Sequence, residues 1–179
     1  PYEYVQLLDN DVVLDPNAIQ ALIEYLEHNL DVAAAGSKLY VMEQPDQLQE
    51  MGGLIDWEGC HVKPFFKGAK DHDHLPEVVD CDYVPACSVM IRTEVLREVG
   101  LMDEAFFIYW DDIEWFHRMK RRGYRIVSLG SSKAWHKMSA GDRRTTFPTY
   151  YFWRNKLHFF AKYMTDDKLP HLAERISRE

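Results

Sequence analysis

The sequence holds no apolar run approaching ~20 residues, the length a helix needs to cross a bilayer, so nothing in it reads as a transmembrane segment. Basic residues are not in excess either: 21 Lys+Arg stand against 29 Asp+Glu, a formal charge of −8. That balance argues against nucleic acid as the main partner and against a polybasic membrane anchor, since both require a positive face. Cysteine is sparse. Cys60, Cys81 and Cys87 are odd in number and lack CxxC spacing, so they are read as reduced thiols in a cytosolic setting, neither a disulfide framework nor a zinc site. Internal repeats and low-complexity tracts are also missing. At 179 residues the chain can bury one good core, and one domain or the larger part of one is expected.

What is present centres on Phe107-Ile108-Tyr109-Trp110-Asp111-Asp112-Ile113-Glu114-Trp115-Phe116. An aromatic and aliphatic run stops at two adjacent carboxylates, and from Ile113 the spacing turns helical, with Lys120-Arg121-Arg122 and Gly123 marking the end. Asp111 and Asp112 thus stand where a buried segment meets a helix N-terminus, a setting suited either to acid–base chemistry or to plain helix capping.

Upstream, Tyr2 to Leu8 reads as a strand that delivers Asp9-Asn10-Asp11 beyond its C-terminal edge, where open α/β sheets bind ligands. Asp15-Pro16 supplies the cap and first-turn proline of the next helix, whose apolar stripe is Ile19, Leu22, Ile23 and Leu26. Asp9 and Asp11 are then free to serve as alternate carboxylates for a hard divalent cation. Val32–Tyr40 reads as a buried strand, and the expected sheet is parallel and covered on both faces. Residues 58–80 read as a long loop, in which Asp71-His72-Asp73-His74 is a solvated tract before it is a metal site. Tyr83–Ile91 reads as a strand with Pro85 at a bulge or edge, Thr93 as the cap of a short helix ending at Gly100, and Tyr124–Leu129 as a further strand. A turn then leads to Ala134-Trp135-His136, a polar loop carries Arg143 and Arg144, and a long helix begins near Pro148 with Tyr150, Trp153, Leu157, Phe160 and Met164 on one face. The opening in mid-strand and the closing helical pattern suggest a piece of a longer domain.

Leu7-Leu8-Asp9-Asn10-Asp11, Val84-Pro85-Ala86-Cys87 through Arg92, Val99 through Glu104, Phe106 through Ile113, Gly123-Tyr124-Arg125-Ile126 and Trp135-His136, in that order and spacing, resemble a family 2 glycosyltransferase of the GT-A fold. Trp110-Asp111-Asp112-Ile113-Glu114, with Tyr150 through Asn155 downstream, is similar to the galactofuranosyltransferase branch, although many relatives carry Glu-Asp in place of Asp111-Asp112. The resemblance implies a Rossmann-like mixed α/β sheet flanked by helices. Residues 1–146 would form the second half of the domain, its metal and acceptor side, and residues 147–179 a C-terminal helical segment.

By the same resemblance, Asp9 and Asp11 are the metal-binding Asp-X-Asp motif, with His136 as third ligand for Mn²⁺ or Mg²⁺. Asp9, Asn10, Arg143 and Arg144 face the diphosphate of a UDP-sugar, Asp112 is the general base, Asp111 holds acceptor hydroxyls, and Trp110 offers its ring to a sugar. The implied reaction is inverting transfer, with UDP-galactofuranose as one donor in view and a glycan or lipid-linked saccharide as acceptor. The implied location is the cytoplasm, with peripheral docking of the full-length protein at the inner membrane face in view. Two other readings stand beside this one. Leu7 through Val12 also looks like the opening of a haloacid-dehalogenase-type phosphatase, though Val12-Val13-Leu14 stands where that class wants Gly-Thr. The second is a non-catalytic sugar- or nucleotide-binding fragment.

Overall fold

The computed structural model describes residues 2–71, 74–137 and 146–165, together with Leu172 and Glu174. Its elements run β1 (Tyr4–Leu8), β2 (Val12–Leu14), α1 (Ala18–His28), β3 (Val32–Val41), β4 (Gln44–Glu50), β5 (Gly53–Asp56), β6 (His61–Pro64), β7 (Val78–Cys81), β8 (Ser88–Arg92), α2 (Thr93–Val99), α3 (Asp111–Lys120), β9 (Arg125–His136) and α4 (Thr146–Tyr163).

The main sheet has the order β1-β8-β3-β9-β2, with β4 also on β3 and β7 also on β9. At its centre β3 is buried from Val32 to Tyr40. The small residues of Val32-Ala33-Ala34-Ala35-Gly36 let neighbouring elements come close: a Cβ on Gly36 would lie 2.7 Å from Val84 Cβ. The strand pattern alone suggests a parallel sheet; the sheet that forms is mixed, as the family resemblance implies. β3 and β9 run parallel, and β1, β2, β4, β7 and β8 pair antiparallel with their neighbours. The reason lies in the excursion between β3 and β8, which returns the chain from the opposite end. That excursion is not the long loop expected over residues 58–80, for β6 and β7 lie within it and β6 pairs with β5 in a separate hairpin.

Other boundaries shift for physical reasons. β9 continues unbroken through Gly130-Ser131-Ser132, where a turn was expected; the extra residues are taken up by a register shift opposite Ser37 and Lys38. Buried hydroxyls bond across that irregularity, Ser37 Oγ lying 2.7 Å from Ser88 Oγ and 2.8 Å from Ser132 Oγ. The strand expected from Tyr83 begins only at Ser88, past Pro85. Asp15 does receive the Asn17 N–H at 2.9 Å ahead of α1, and Leu22 and Leu26 are buried, while Ile19 faces solvent. Thr93 is no cap: Arg92 holds the N-cap position of α2 and the Thr93 hydroxyl is buried without a partner. The guanidinium of buried Arg92 instead donates to Leu26 O and, at 3.1 Å, to Asn29 O at the open end of α1, and to Val32 O at 2.8 Å at the start of β3.

The main core lies between the sheet and the pair α3–α4, and includes Phe106, Trp110, Phe116, Phe159, Phe160 and Leu172. The buried face of α4 is Asn155, Lys156, Phe159 and Phe160; Tyr150 and Leu157, expected on that face, are exposed. Glu114 of α3, fully buried, locks the two helices together by accepting from Arg118 Nε at 2.9 Å, Lys162 Nζ at 2.9 Å and the Tyr163 hydroxyl at 2.6 Å. Among the described residues no helix is long and apolar enough to cross a membrane.

Candidate active site

The turn between β1 and β2 carries Asp9-Asn10-Asp11 and is pinned on both sides. Asp9 N–H donates to Cys87 O at 3.0 Å, and Lys137 N–H donates to Asp11 O at 3.0 Å. Because β2 pairs with the last residues of β9, Val12 opposite His136, the imidazole is carried to the carboxylates. His136 Nε2 lies 3.5 Å from Asp11 Oδ1, and one ligand atom each from Asp9, Asp11 and His136 falls within 4.8 Å of the others. Asn10 is exposed beside them.

Gln49 of β4 completes this arrangement, and the sequence reading missed it. Its Oε1 lies 2.9 Å from His136 Nδ1. An amide oxygen only accepts, so Nδ1 carries a proton and Nε2 is the ring nitrogen that faces Asp11. Two carboxylates, one oriented imidazole and an outer hydrogen-bond partner are a fitting donor set for an octahedral divalent cation.

Asp112 is tied to the 85–87 segment that also holds Asp9. Its Oδ2 accepts from Ala86 N–H at 3.3 Å and its Oδ1 from Ile113 N–H at 2.8 Å. The residue after Ala86 is Cys87, whose carbonyl holds Asp9, so a single short segment spaces the candidate base from the carboxylate pair. Burial, with the Asp111 charge adding to it, pushes Asp112 up to about 7 despite its backbone hydrogen bonds. Glu50, also missed, is a second such group. Burial raises it to about 7, the Asp112 charge adds to the effect, and the Tyr83 hydroxyl, donating at 3.1 Å, works against it. The Cys87 thiol is pushed up by burial and by the charges of Asp9, Glu50, Asp112 and Asp11, which marks it as the point these acids surround.

Asp111 and Asp112 open α3, preceded by a loop of unusual backbone: Phe107, Tyr109 and Trp110 have φ of 63°, 65° and 66°. Trp110 is 2% exposed, with its ring against Phe159 and Phe160 at centroid distances of 5.5 Å. The expected sugar platform at Trp110 is therefore corrected to core packing, because the left-handed turn folds this ring inward. The aromatic rings that do face solvent here are Phe107, 66% exposed, and Tyr109, with Phe147, Tyr150 and Phe152 of α4 beside them.

Of the other candidates, Arg143 and Arg144 lie outside the described residues, as do His72 and Asp73. Asp71 has a structural task, accepting from Lys38 Nζ at 2.9 Å and the Tyr40 hydroxyl at 2.6 Å, which holds it well below the usual carboxylate range against the desolvation that opposes it.

A family model described as Glycosyltransferase like family 2 matches residues 2–159. The chain belongs to that family. Membership displaces the phosphatase reading of Asp9. Galactofuranosyltransferase GlfT2 of Mycolicibacterium smegmatis is 24% identical over 171 residues, covering 87% of this chain and 26% of that protein. O-antigen biosynthesis protein RfbC of Myxococcus xanthus is 26% identical over 157 residues, covering 84% and 12%. This glycosyltransferase chain thus spans about a quarter of the length of the galactofuranosyltransferase it matches. The crystal structure of GalNAc-T7 with UDP, GalNAc and Mn²⁺ superposes with a TM-score of 0.69 at 14% identity, covering 93% of this chain and 32% of that one. At that identity the likeness speaks for the fold, which is GT-A.

Proposed function

We propose that this chain carries the metal and acceptor side of an inverting glycosyltransferase domain, moving a sugar from a UDP-sugar to a hydroxyl of a glycan or lipid-linked saccharide. The observation that carries the reading is that Asp112 and the Asp9–Asp11–His136 cluster are tied to one short segment, Asp112 through Ala86 N–H and Asp9 through Cys87 O. Asp9, Asp11 and His136 would hold Mn²⁺ or Mg²⁺, which when bound would supply Lewis-acid stabilisation to the departing UDP. Asp112 accepts the proton of the acceptor hydroxyl as that oxygen attacks the anomeric carbon. A single displacement inverts the centre and needs one base, with no enzyme nucleophile. Asp111, next in the first turn of α3, takes hydrogen bonds from neighbouring acceptor hydroxyls. The exposed rings of Phe107 and Tyr109 offer the apolar faces of sugar rings a surface beside those carboxylates. UDP-galactofuranose is the donor we favour, on the likeness to a protein named a galactofuranosyltransferase.

Calorimetry with UDP tests the first half of the reading. This chain should bind UDP weakly, and only with Mn²⁺ or Mg²⁺ present. Asp11→Asn should weaken cation and UDP together, with partial recovery at high Mn²⁺. Tight UDP binding that ignores the cation would overturn the assignment, and binding without transfer by the full-length protein would favour the non-catalytic reading.

A further inference from the structure

We infer that Asn155 is a positioning residue for the acceptor site: its side-chain amide holds residues 106–110 in the left-handed path that delivers Asp111 and Asp112 to the cleft. The inference rests on the reading of Asp112 as the base.

The loop is an improbable one for its sequence. Phe107, Tyr109 and Trp110 all take positive φ, which bulky side chains disfavour, and strain of this kind persists only where the surroundings over-determine it. The backbone supplies little of that determination within the loop, chiefly Ile108 N–H to Phe106 O at 2.7 Å. Asn155 supplies the rest. It is 0% exposed, and its Nδ2 lies 2.6 Å from Phe106 O, 2.7 Å from Ile108 O and 2.8 Å from Tyr109 O. Its Oδ1 accepts from Arg154 Nε at 2.8 Å, which fixes the amide with its donor side toward the loop. The same guanidinium reaches Ala105 O and, at 3.2 Å, Phe106 O.

The geometry links this clamp to chemistry. Trp110 is the last left-handed residue, and its carbonyl accepts the first bond of α3, from Glu114 N–H at 2.9 Å. Relaxing Trp110 to ordinary φ would turn the start of α3 and draw Asp112 away from Ala86 N–H. An apolar residue at 155 would fill the space and take the side-chain donor from the Ile108 and Tyr109 carbonyls, while Phe106 O keeps Ile108 N–H and the Arg154 guanidinium. In the sequence Asn155 stands out only as the last residue of the Tyr150 through Asn155 resemblance, with no role attached.

The test uses the full-length enzyme with Asn155→Ala and Asn155→Asp, the second presenting an acceptor to carbonyls that need a donor. Amide hydrogen exchange over residues 107–112 should quicken tenfold or more while β3 and β9 stay protected. Turnover should fall about 10–100-fold with the dissociation constant for UDP and Mn²⁺ changed less than twofold. The acid limb of kcat/KM should also move to lower pH. Asp112 is faced by Asp111 on its own helix, Glu50 of β4, and Tyr83 and Cys87 of the preceding segment, and loosening the loop admits water among them. A residue that merely aids folding would lower the active fraction and leave the limb in place. Unchanged exchange, or an unmoved limb, overturns the proposal. If Asn155→Ala does not fold, Asn155→Ser keeps a donor too short to span the three carbonyls and is read the same way. Should the wild type transfer no sugar, exchange alone decides the positioning, and the functional reading falls separately.

Discussion

In Asp112→Asn the side chain keeps its shape and loses its charge, and the structure sets opposite expectations for stability and turnover. Burial holds Asp112 at about 7 against an ordinary value of 3.8. At 1.36 kcal/mol per pH unit this gap amounts to about 4 kcal/mol, an upper figure for a residue that is only partly enclosed. Asparagine can still accept from Ile113 N–H, but its NH₂ then meets Ala86 N–H, and that mismatch costs about 1 kcal/mol. Net, the variant should be more stable than wild type by about 1–3 kcal/mol at pH 8.

The sign depends on pH. Below the ordinary carboxylate range Asp112 is neutral both folded and unfolded, so at about pH 3 the variant should lose only its one hydrogen bond. As pH rises from about 3.8 to about 7, the unfolded chain ionises while the folded carboxyl stays protonated, and the wild type gives up stability. Above about 7 the difference is constant. Denaturant titrations at about pH 3 and about pH 8 measure both ends. Turnover of the full-length enzyme should fall by about 10²–10⁴ with donor binding little changed, since only the transition state loses an interaction. A variant destabilised equally at both pH values, or one that retains turnover, would refute the reasoning.

Two further outcomes follow from the same geometry. Gln49→Leu frees His136 Nδ1 and with it the ring orientation, so Mn²⁺ affinity, read by titration of the bound ion, should fall about 10–100-fold with the fold intact. Asp111→Asn should chiefly raise KM for the acceptor; if it abolishes turnover while Asp112→Asn stays active at saturating acceptor, Asp111 is the base.

The sequence disclosed those parts of the molecule whose local chemistry agrees with their place in the fold. Val32–Tyr40 is small and apolar because it runs through the middle of the sheet, and α3 carries acids at its start and cations at its end as an isolated helix would. β4 was invisible because Gln44-Pro45-Asp46-Gln47-Leu48-Gln49-Glu50 has almost no apolar alternation, so Gln49 and Glu50 could not be placed beside the site. The inward turn of Trp110 was equally hidden: positive φ at bulky residues is dictated by Asn155, far along the chain, and no local signal announces it. On α4 the sequence places aromatics on two faces at once, and periodicity alone chose the face that includes Tyr150 and Leu157 over the one that carries Asn155 and Phe159.

The charge gathered at the site bears on what it can bind. Asp9, Asp11, Glu50 and Asp112 all act on the Cys87 thiol, in a chain whose net charge is already −8. A diphosphate brought to that place unaided would meet carboxylates rather than cations. Raising Glu50 and Asp112 to about 7 removes part of the repulsion by keeping protons on them near neutrality. Asp9 and Asp11, with His136, are the members of this cluster grouped closely enough for a divalent cation. The same distribution suits a neutral acceptor hydroxyl on the Asp112 side, where a carboxylate near 7 can take a proton and give it up again at physiological pH. On the proposed reading, donor affinity should rise and fall with the cation and acceptor chemistry should rise with pH through about 7, both from one electrostatic arrangement.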